Sequence, residues 1–350
     1  MERRKKILVA PLDWGLGHAT RCIPIINELL ANNCGVLLAS NGNSLSLLKG
    51  EFPHLTAFEL PGYDPIYPNG NGMILKMAIQ VPKFLKTILR EHILVEKLVA
   101  EHNIDVVISD NRYGCFSKKA KSIFITHQLN ILMPGNINWL EKRINHFNQE
   151  QIKQYAECWV PAPPDSFIPK LTGDDKILKT RHIGYLSRFE KRVTPKLYDV
   201  LVICSGPEPQ RDIFEKLLTR QLQSTGLKYL IVKGLPDSKN TSNNDTEVAF
   251  MNSETLNDTI ESSEIIIARS GYTTVMDLAK LGKKAIFIPT PGQTEQEYIA
   301  EEMREPKIAF SMKQTEFDLE IALKKSINYS GFTNFEYSDS LLKKAVQSIL

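Results

Sequence analysis

The sequence predicts an α/β protein made of two doubly wound halves, each a parallel sheet covered by helices. Three observations carry that expectation. Short apolar runs rich in β-branched residues alternate with longer stretches of helical periodicity. The runs are apolar at nearly every position, as in strands buried on both faces, rather than at every second one. The alternation also breaks near the middle of the chain and starts again. A chain of 350 residues accommodates two domains of roughly 100–200 residues each.

In the first half, strands are expected over 6–12, 35–40, 105–109, 122–126 and 157–160. Helices fit 19–32, 75–102 (bent at Pro82) and 139–155. In the second half, strands fit 197–204, 228–233, 248–250, 264–268 and 284–288. Helices fit 211–223, 256–262, 273–281, 294–303 and 315–326. The polar stretch 184–195, GYLSRFEKRVTP, ends in proline and reads as the linker, and 236–245 reads as a surface loop. The expected domains are therefore 1–185 and 196–335, with 336–350 a final helix packing back on the first domain.

Composition narrows the function classes. The chain is 42% hydrophobic and 24% charged, the balance of an ordinary globular protein. Its net charge of +3, from 43 basic and 40 acidic residues, is too small to point to nucleic acid. The basic cluster at 1–6 reads as a solvated segment. The apolar run at 7–12 is too short for a signal peptide, and no run approaches the ~20 residues that span a bilayer. Cys22, Cys34, Cys115, Cys158 and Cys204 are odd in number and form no CxxC. They suggest neither a disulfide framework nor a zinc site, and the cytoplasm is the expected address.

Three segments carry chemistry. PLDWGLGHATR, residues 11–21, follows the first strand and opens the first helix. Gly15 and Gly17 permit a tight turn and close approach to an anion, and the helix start supplies free N–H groups. The complete G-x-G-x-x-G is missing, Ser40 and Asn41 stand where a dinucleotide site needs an acid, and no GK[ST] is present. That leaves His18, whose neutral ring at a helix start can accept a proton, against the plainer role of a capping or packing histidine. RSGYTTVMD, residues 269–277, again leads from a strand through a small-residue turn into a helix, with Asp277 one turn in. PTPGQTEQEY, residues 289–298, is held extended by prolines and offers Gln293, Gln296 and Glu297 as polar edges for a sugar.

In that order, these segments make the second half resemble the donor-binding domain of GT-B glycosyltransferases of the family 28 type. GLGHATR is similar to that family's glycine-rich loop with its following histidine. The resemblance implies the GT-B fold, two doubly wound Rossmann-like domains facing across a cleft. It further implies that Arg269, Ser270, Gly271 and Thr274 surround a diphosphate, and that Asp277 holds a ribose. Gln296 and Glu297 would meet the donor sugar, while Phe250 and Met251 would read the base. Ser205 and Gly206 belong to SGPEPQ, which replaces a glycine-rich phosphate loop; Pro207 and Pro209 there remove two N–H donors.

On the acceptor side, Asp110 and Tyr113 follow one strand and His127 follows the next. The expected activity is inverting transfer of a sugar from a nucleotide-sugar, a UDP-sugar on the resemblance, to an acceptor hydroxyl. His18 is the expected base, with Asp110 orienting it or acting in its place. Loop caps and packed histidines are the plainer readings of Asp110 and His127. No metal-ligand cluster stands out, so no essential metal or cofactor is expected. GHATRC also resembles the loop of UDP-sugar hydrolases, in which the histidine activates water. A non-catalytic nucleotide-sugar-binding protein and an epimerase are further alternatives. Residues 73–90, apolar with interspersed cations, fit either a buried helix with snorkelling lysines or a peripheral contact with an anionic membrane carrying a lipid-linked acceptor.

Overall fold

Ile7, Leu8, Val9 and Ala10 are all fully buried, so strand β1 (Lys6–Pro11) lies at the centre of a sheet rather than at its margin. The computed structural model describes residues 3–66, 73–133, 138–173, 178–206, 208–235, 245–333 and 335–350. After β1 come α1 (Gly17–Ala31), β2 (Gly35–Ser40), α2 (Gly42–Glu51), β3 (Thr56–Glu59) and α3 (Met73–His102). The first sheet is completed by β4 (Val106–Asp110), β5 (Lys121–Ile125), α4 (Asn138–Ile152), β6 (Glu157–Val160), α5 (Pro169–Thr172) and β7 (Thr180–His182). Its seven strands lie in the order β3-β2-β1-β4-β5-β6-β7, all parallel.

The second half repeats the plan. β8 (Tyr198–Ile203), α6 (Gln210–Leu222), β9 (Tyr229–Val232), β10 (Glu247–Val248), α7 (Ser253–Glu261) and β11 (Ser263–Ala268) lead to α8 (Tyr272–Leu281). Then follow β12 (Lys284–Phe287), α9 (Thr294–Arg304), β13 (Phe310–Ser311), α10 (Leu319–Ser326) and α11 (Ser340–Gln347). The order β10-β9-β8-β11-β12-β13 is again fully parallel. The fold is thus α/β with two doubly wound domains, as the alternating pattern predicts.

Differences from the expected elements have local causes. β3 (TAFE) and β7 (TRH) are short, partly exposed edge strands with no apolar run to announce them. α2 carries two glycines and two serines, which weaken its helical signature. The expected helix 315–326 is split: Phe317 turns inward and Asp318 caps α10 by accepting from the Ile321 N–H at 2.9 Å. The linker is less polar in place than in sequence, because Leu186, Ser187 and Phe189 are buried. Residues 236–244, Pro207 and the first two residues lie outside the described residues.

α11 returns to the first domain. Leu342, Ala345 and Val346 join the cluster formed by β1, α1 and β2, and Gln347 Nε2 donates to Asn32 Oδ1 at 2.6 Å. Helix α3 is amphipathic in the opposite sense to a core helix. Glu91, Val95, Leu98 and Val99 are buried, while Ile79, Leu85, Leu89 and Ile93 face outward beside exposed Lys83, Lys86 and Arg90. This overturns the buried-helix reading for the described part of 73–90; the side chains of residues 73–76 lie outside the described residues.

One fully buried ion pair ties this helix to the strand ends. Arg112 Nε donates to Glu91 Oε1 at 2.5 Å, while its other nitrogens reach Asn41 Oδ1, Pro11 O and Pro61 O. Glu91 Oε2 accepts from the Tyr63 hydroxyl and the Gly114 N–H. Glu91→Ala leaves the guanidinium buried without its counter-charge, so urea unfolding is expected to show a loss of about 3–5 kcal/mol. A loss under 1 kcal/mol would contradict this account of the pair.

Candidate active site

The sheet order reverses at β1, with β2 on one side and β4 on the other, and ligands in such sheets bind beyond the strand ends at that point. His18 and Asp110 occupy it. Asp110 is the last residue of β4 and pairs in register with Pro11, the last of β1. His18 is the second residue of α1, across the short loop from β1. Within that loop Gly15 has φ +84°, a left-handed conformation that side chains resist. Gly17 has a different reason: a Cβ there would lie 3.2 Å from Thr273 Oγ1 in the second domain.

The two domains therefore meet at paired helix starts. Thr273 Oγ1, in the first turn of α8, donates to Gly17 O at 3.2 Å, and neither α1 nor α8 has a side-chain cap. Two uncapped helix starts thus lie next to each other, and each favours negative charge.

His18 Nδ1 lies 2.8 Å from Asp110 Oδ1, and among the described residues its Nε2 has no hydrogen-bond partner. The Asp110 carboxylate is fully buried. Arg21, one turn along α1, grips it with Nε on Oδ2 at 2.5 Å and Nη2 on Oδ1. Burial alone would raise the Asp110 carboxyl, but Arg21 and then His18 outweigh it and hold it far below the usual carboxylate range. A carboxylate so held keeps its charge and gives His18 a fixed acceptor. Arg21 Nη2 lies 2.9 Å from the same Nδ1, so that nitrogen faces both a carboxylate acceptor and a guanidinium donor. In the tautomer whose Nδ1–H donates to Asp110, Nε2 is left able to accept a proton.

The same guanidinium reaches a second histidine. Arg21 Nη1 lies 2.7 Å from His127 Nδ1, and His127 Nε2 lies 2.6 Å from Glu295 Oε1 of the second domain. Gln128 Nε2 donates to the other Glu295 oxygen, and the His127 ring stacks on Tyr272 at 4.2 Å and 9°. Burial lowers the His127 pKa, and Glu295 only partly offsets this. Arg21 and Glu295 were not singled out from the sequence. Arg21 could have been, since three residues after His18 it shares that helix face.

Tyr113 takes a different place from the one expected. It stacks on Phe124 at 5.4 Å and donates to Asn148 Oδ1 at 2.7 Å, which makes it part of the packing under α4. A cavity of about 150 Å³ lined by Tyr155, Glu157, Cys158 and Lys179 sits at the amino ends of β6 and β7, the far side of the sheet from His18.

In the second domain the motif residues divide into two sets. Arg269 is buried, pushed down to about 10 by burial, and spends its N–H groups on the carbonyls of Ile288, Pro289 and Gln210 and on Gln314 Oε1. Its guanidinium therefore braces the loop after β12 instead of standing round a diphosphate. Gln296 is likewise internal, accepting from the Thr290 N–H and donating to Gln293 Oε1. Ser270 donates to Gln296 O at 2.7 Å. Gly271 opens α8, Thr274 lies in its first turn, and both are half-buried at the domain junction. Gln293 is half-buried and Glu297 exposed. Ser205 and Gly206 follow β8 and are half-buried, while Pro207 lies outside the described residues. Phe250 packs against the first domain's core cluster, and Met251 against a cluster that spans both domains. Among the described residues, no three His, Cys, Asp or Glu side chains are grouped to hold a metal ion.

Comparison with known proteins agrees with this fold. Residues 217–349 match the glycosyltransferase family 28 C-terminal domain. An uncharacterized glycosyltransferase of Methanosarcina acetivorans is 25% identical over 320 residues, 83% of this chain and 81% of that protein. One from Methanosarcina mazei is 24% identical over 323 residues, with the same coverage. Among solved structures, the glycotransferase of kitacinnamycin superposes with a TM-score of 0.65 at 14% identity, covering 99% of this chain and 98% of that one. MurG of Acinetobacter baumannii gives 0.51 at 12% identity, covering 99% and 94%. The fold is that of the GT-B glycosyltransferases, and the matched domain and the relatives make the chain a glycosyltransferase. Within that class, residues 217–349 resemble the family 28 C-terminal domain.

Asp277 sits just behind the start of α8. Its carboxylate accepts from Ser187 Oγ of the linker at 2.6 Å. Burial raises its pKa to about 6, with Arg188 and Ser187 opposing. A folded value above the unfolded one means that the folded chain holds the proton more tightly. Stability therefore falls as pH rises from about 4 to 6, and the penalty persists above that. Asp277→Asn has no such penalty. Its unfolding free energy relative to wild type is expected to rise by about 3 kcal/mol between pH 3 and pH 7 in urea titrations. A pH-independent difference would remove the buried-carboxyl account.

Proposed function

We propose that the chain is an inverting glycosyltransferase that moves a sugar from a nucleotide-sugar, a UDP-sugar on the family likeness, to an acceptor hydroxyl. The observation that carries this is His18, held on Asp110 through Nδ1 with Nε2 left to accept a proton, where the two helix starts meet. The acceptor hydroxyl gives its proton to His18 Nε2, and its oxygen bonds to the anomeric carbon. The bond from that carbon to the diphosphate breaks, and its electron pair leaves on the phosphate oxygen. Backbone N–H groups of Gly271 and the first turn of α8 meet that charge. Asp110 orients the histidine rather than replacing it, because Arg21 already holds both its oxygens. In this reading Asp277 holds the ribose, Phe250 and Met251 frame the base, and Gln293 and Glu297 offer polar edges to the sugar.

A nucleotide-sugar hydrolase would use the same histidine on water. The outward apolar face of α3 favours transfer, since a hydrolase needs no such surface. Ile79, Leu85, Leu89 and Ile93 with Lys83, Lys86 and Arg90 suit an anionic membrane bearing a lipid-linked acceptor. No helix among the described residues is long and apolar enough to cross a membrane, so the contact proposed is peripheral.

Nucleotide release from a panel of UDP-, GDP-, ADP- and dTDP-sugars, with and without a crude lipid extract, tests the chemistry. Extract-dependent UDP release is expected, falling about 10²–10⁴-fold in His18→Ala. Release in water alone would favour the hydrolase, and undiminished release by the variant would remove His18 as base. Sedimentation with vesicles tests the surface. Binding to phosphatidylglycerol but not phosphatidylcholine is expected, with loss in Leu89→Asp/Ile93→Asp. Equal recovery of wild type and variant in the pellet would remove the membrane contact.

A further inference from the structure

His127 lies in the first domain, yet two of the three contacts that fix its ring come from the second. Arg21 Nη1 points at its Nδ1 from within the domain. From across the cleft, Glu295 Oε1 sits 2.6 Å from its Nε2, and Tyr272 stacks on its face. The chemistry allows one arrangement of protons. Arg21 is always a donor, so Nδ1 must accept, the proton sits on Nε2, and Glu295 accepts it. Burial keeps the ring neutral, in agreement with this. A protonated ring would set an N–H against the Arg21 N–H.

The Glu295 carboxylate has both oxygens engaged by first-domain side chains, His127 and Gln128. Thr294, its neighbour, donates to Leu132 O at 2.7 Å, so the first turn of α9 is docked as a unit on the segment after β5. Through His127 the contact continues to Arg21, then to Asp110 and His18.

We propose that Glu295 is a positioning residue supplied by the donor domain. By holding the Nε2–H form of His127 it fixes Arg21 and the Asp110–His18 pair, so the proton acceptor is fully set only when the domains close. This rests on His18 being the base. It differs from a role for Glu295 as a sugar contact, which would act on donor affinity.

The full-length protein, labelled with ¹⁵N-histidine and saturated with UDP, gives a reading that needs no turnover. The His127 signal, assigned through His127→Gln, is expected as a single Nε2–H tautomer whose proton exchanges slowly. Glu295→Ala should lose that protection and Glu295→Gln should retain most of it, because the amide oxygen still accepts. With the nucleotide-sugar that wild type turns over, Glu295→Ala is expected to lower kcat at least tenfold with KM within about twofold. Glu295→Gln should recover most of the rate, and Glu295→Ala/His127→Ala should be no slower than the slower single variant. A raised KM at unchanged kcat, additive losses, or unaltered His127 protection in Glu295→Ala would overturn the proposal. Loss of turnover in His18→Ala beside normal Glu295 variants would sink this inference alone. Normal turnover in His18→Ala would sink the reading on which it rests.

Discussion

The first domain's half of the site depends on one buried guanidinium. Arg21 is a permanent charge sealed beneath the first turn of α1, and burying such a charge is costly unless it is paired and hydrogen-bonded. Asp110 supplies the pairing, and in doing so becomes a carboxylate that cannot readily take a proton. His18 is aimed by that carboxylate, and His127 is set by the nitrogen that Asp110 leaves over. Two histidines are thus positioned around one ion pair. The parallel sheet makes this possible, because β1 and β4 end in register and bring the start of α1 and Asp110 together.

The second domain uses its most recognisable residues for a less visible task. Arg269 and Gln296 lie inside the loops, where they satisfy carbonyl and N–H groups that a strand-to-helix turn leaves open. They thereby hold the loop after β12 and the start of α6 against the turn that opens α8.

Much of this was legible in the sequence. Continuous apolar runs such as ILVA and IIIA announce central strands of a parallel sheet, and the glycines before His18 and after Arg269 announce the turns. What stayed hidden has physical causes. β3 and β7 are edge strands whose half-exposed residues give no apolar run. Glu295 lies within a segment read for its glutamines, but its partner is 168 positions away in the chain, and no local pattern encodes a contact across a cleft. Arg269 was readable as a motif but not in its orientation, which is set by Ile288 and Pro289 from the next strand end. The outward turn of α3 was one of two readings of the same amphipathic pattern, because periodicity shows that a helix has two faces and not which one is covered.

The return of α11 to the first domain has a mechanical consequence. The chain passes between the domains twice, once through the buried linker after β7 and once before α11, which is anchored on α1 and by Lys5 Nζ to Ile349 O. A body attached at one point can swivel about every axis, whereas one attached at two points, like a door on two pins, swings chiefly about the line joining them. That restriction leaves the opening and shutting of the cleft as the easy motion and makes twisting costly. Such a hinge would return the first turn of α9 to the segment after β5, where Thr294 meets Leu132 O.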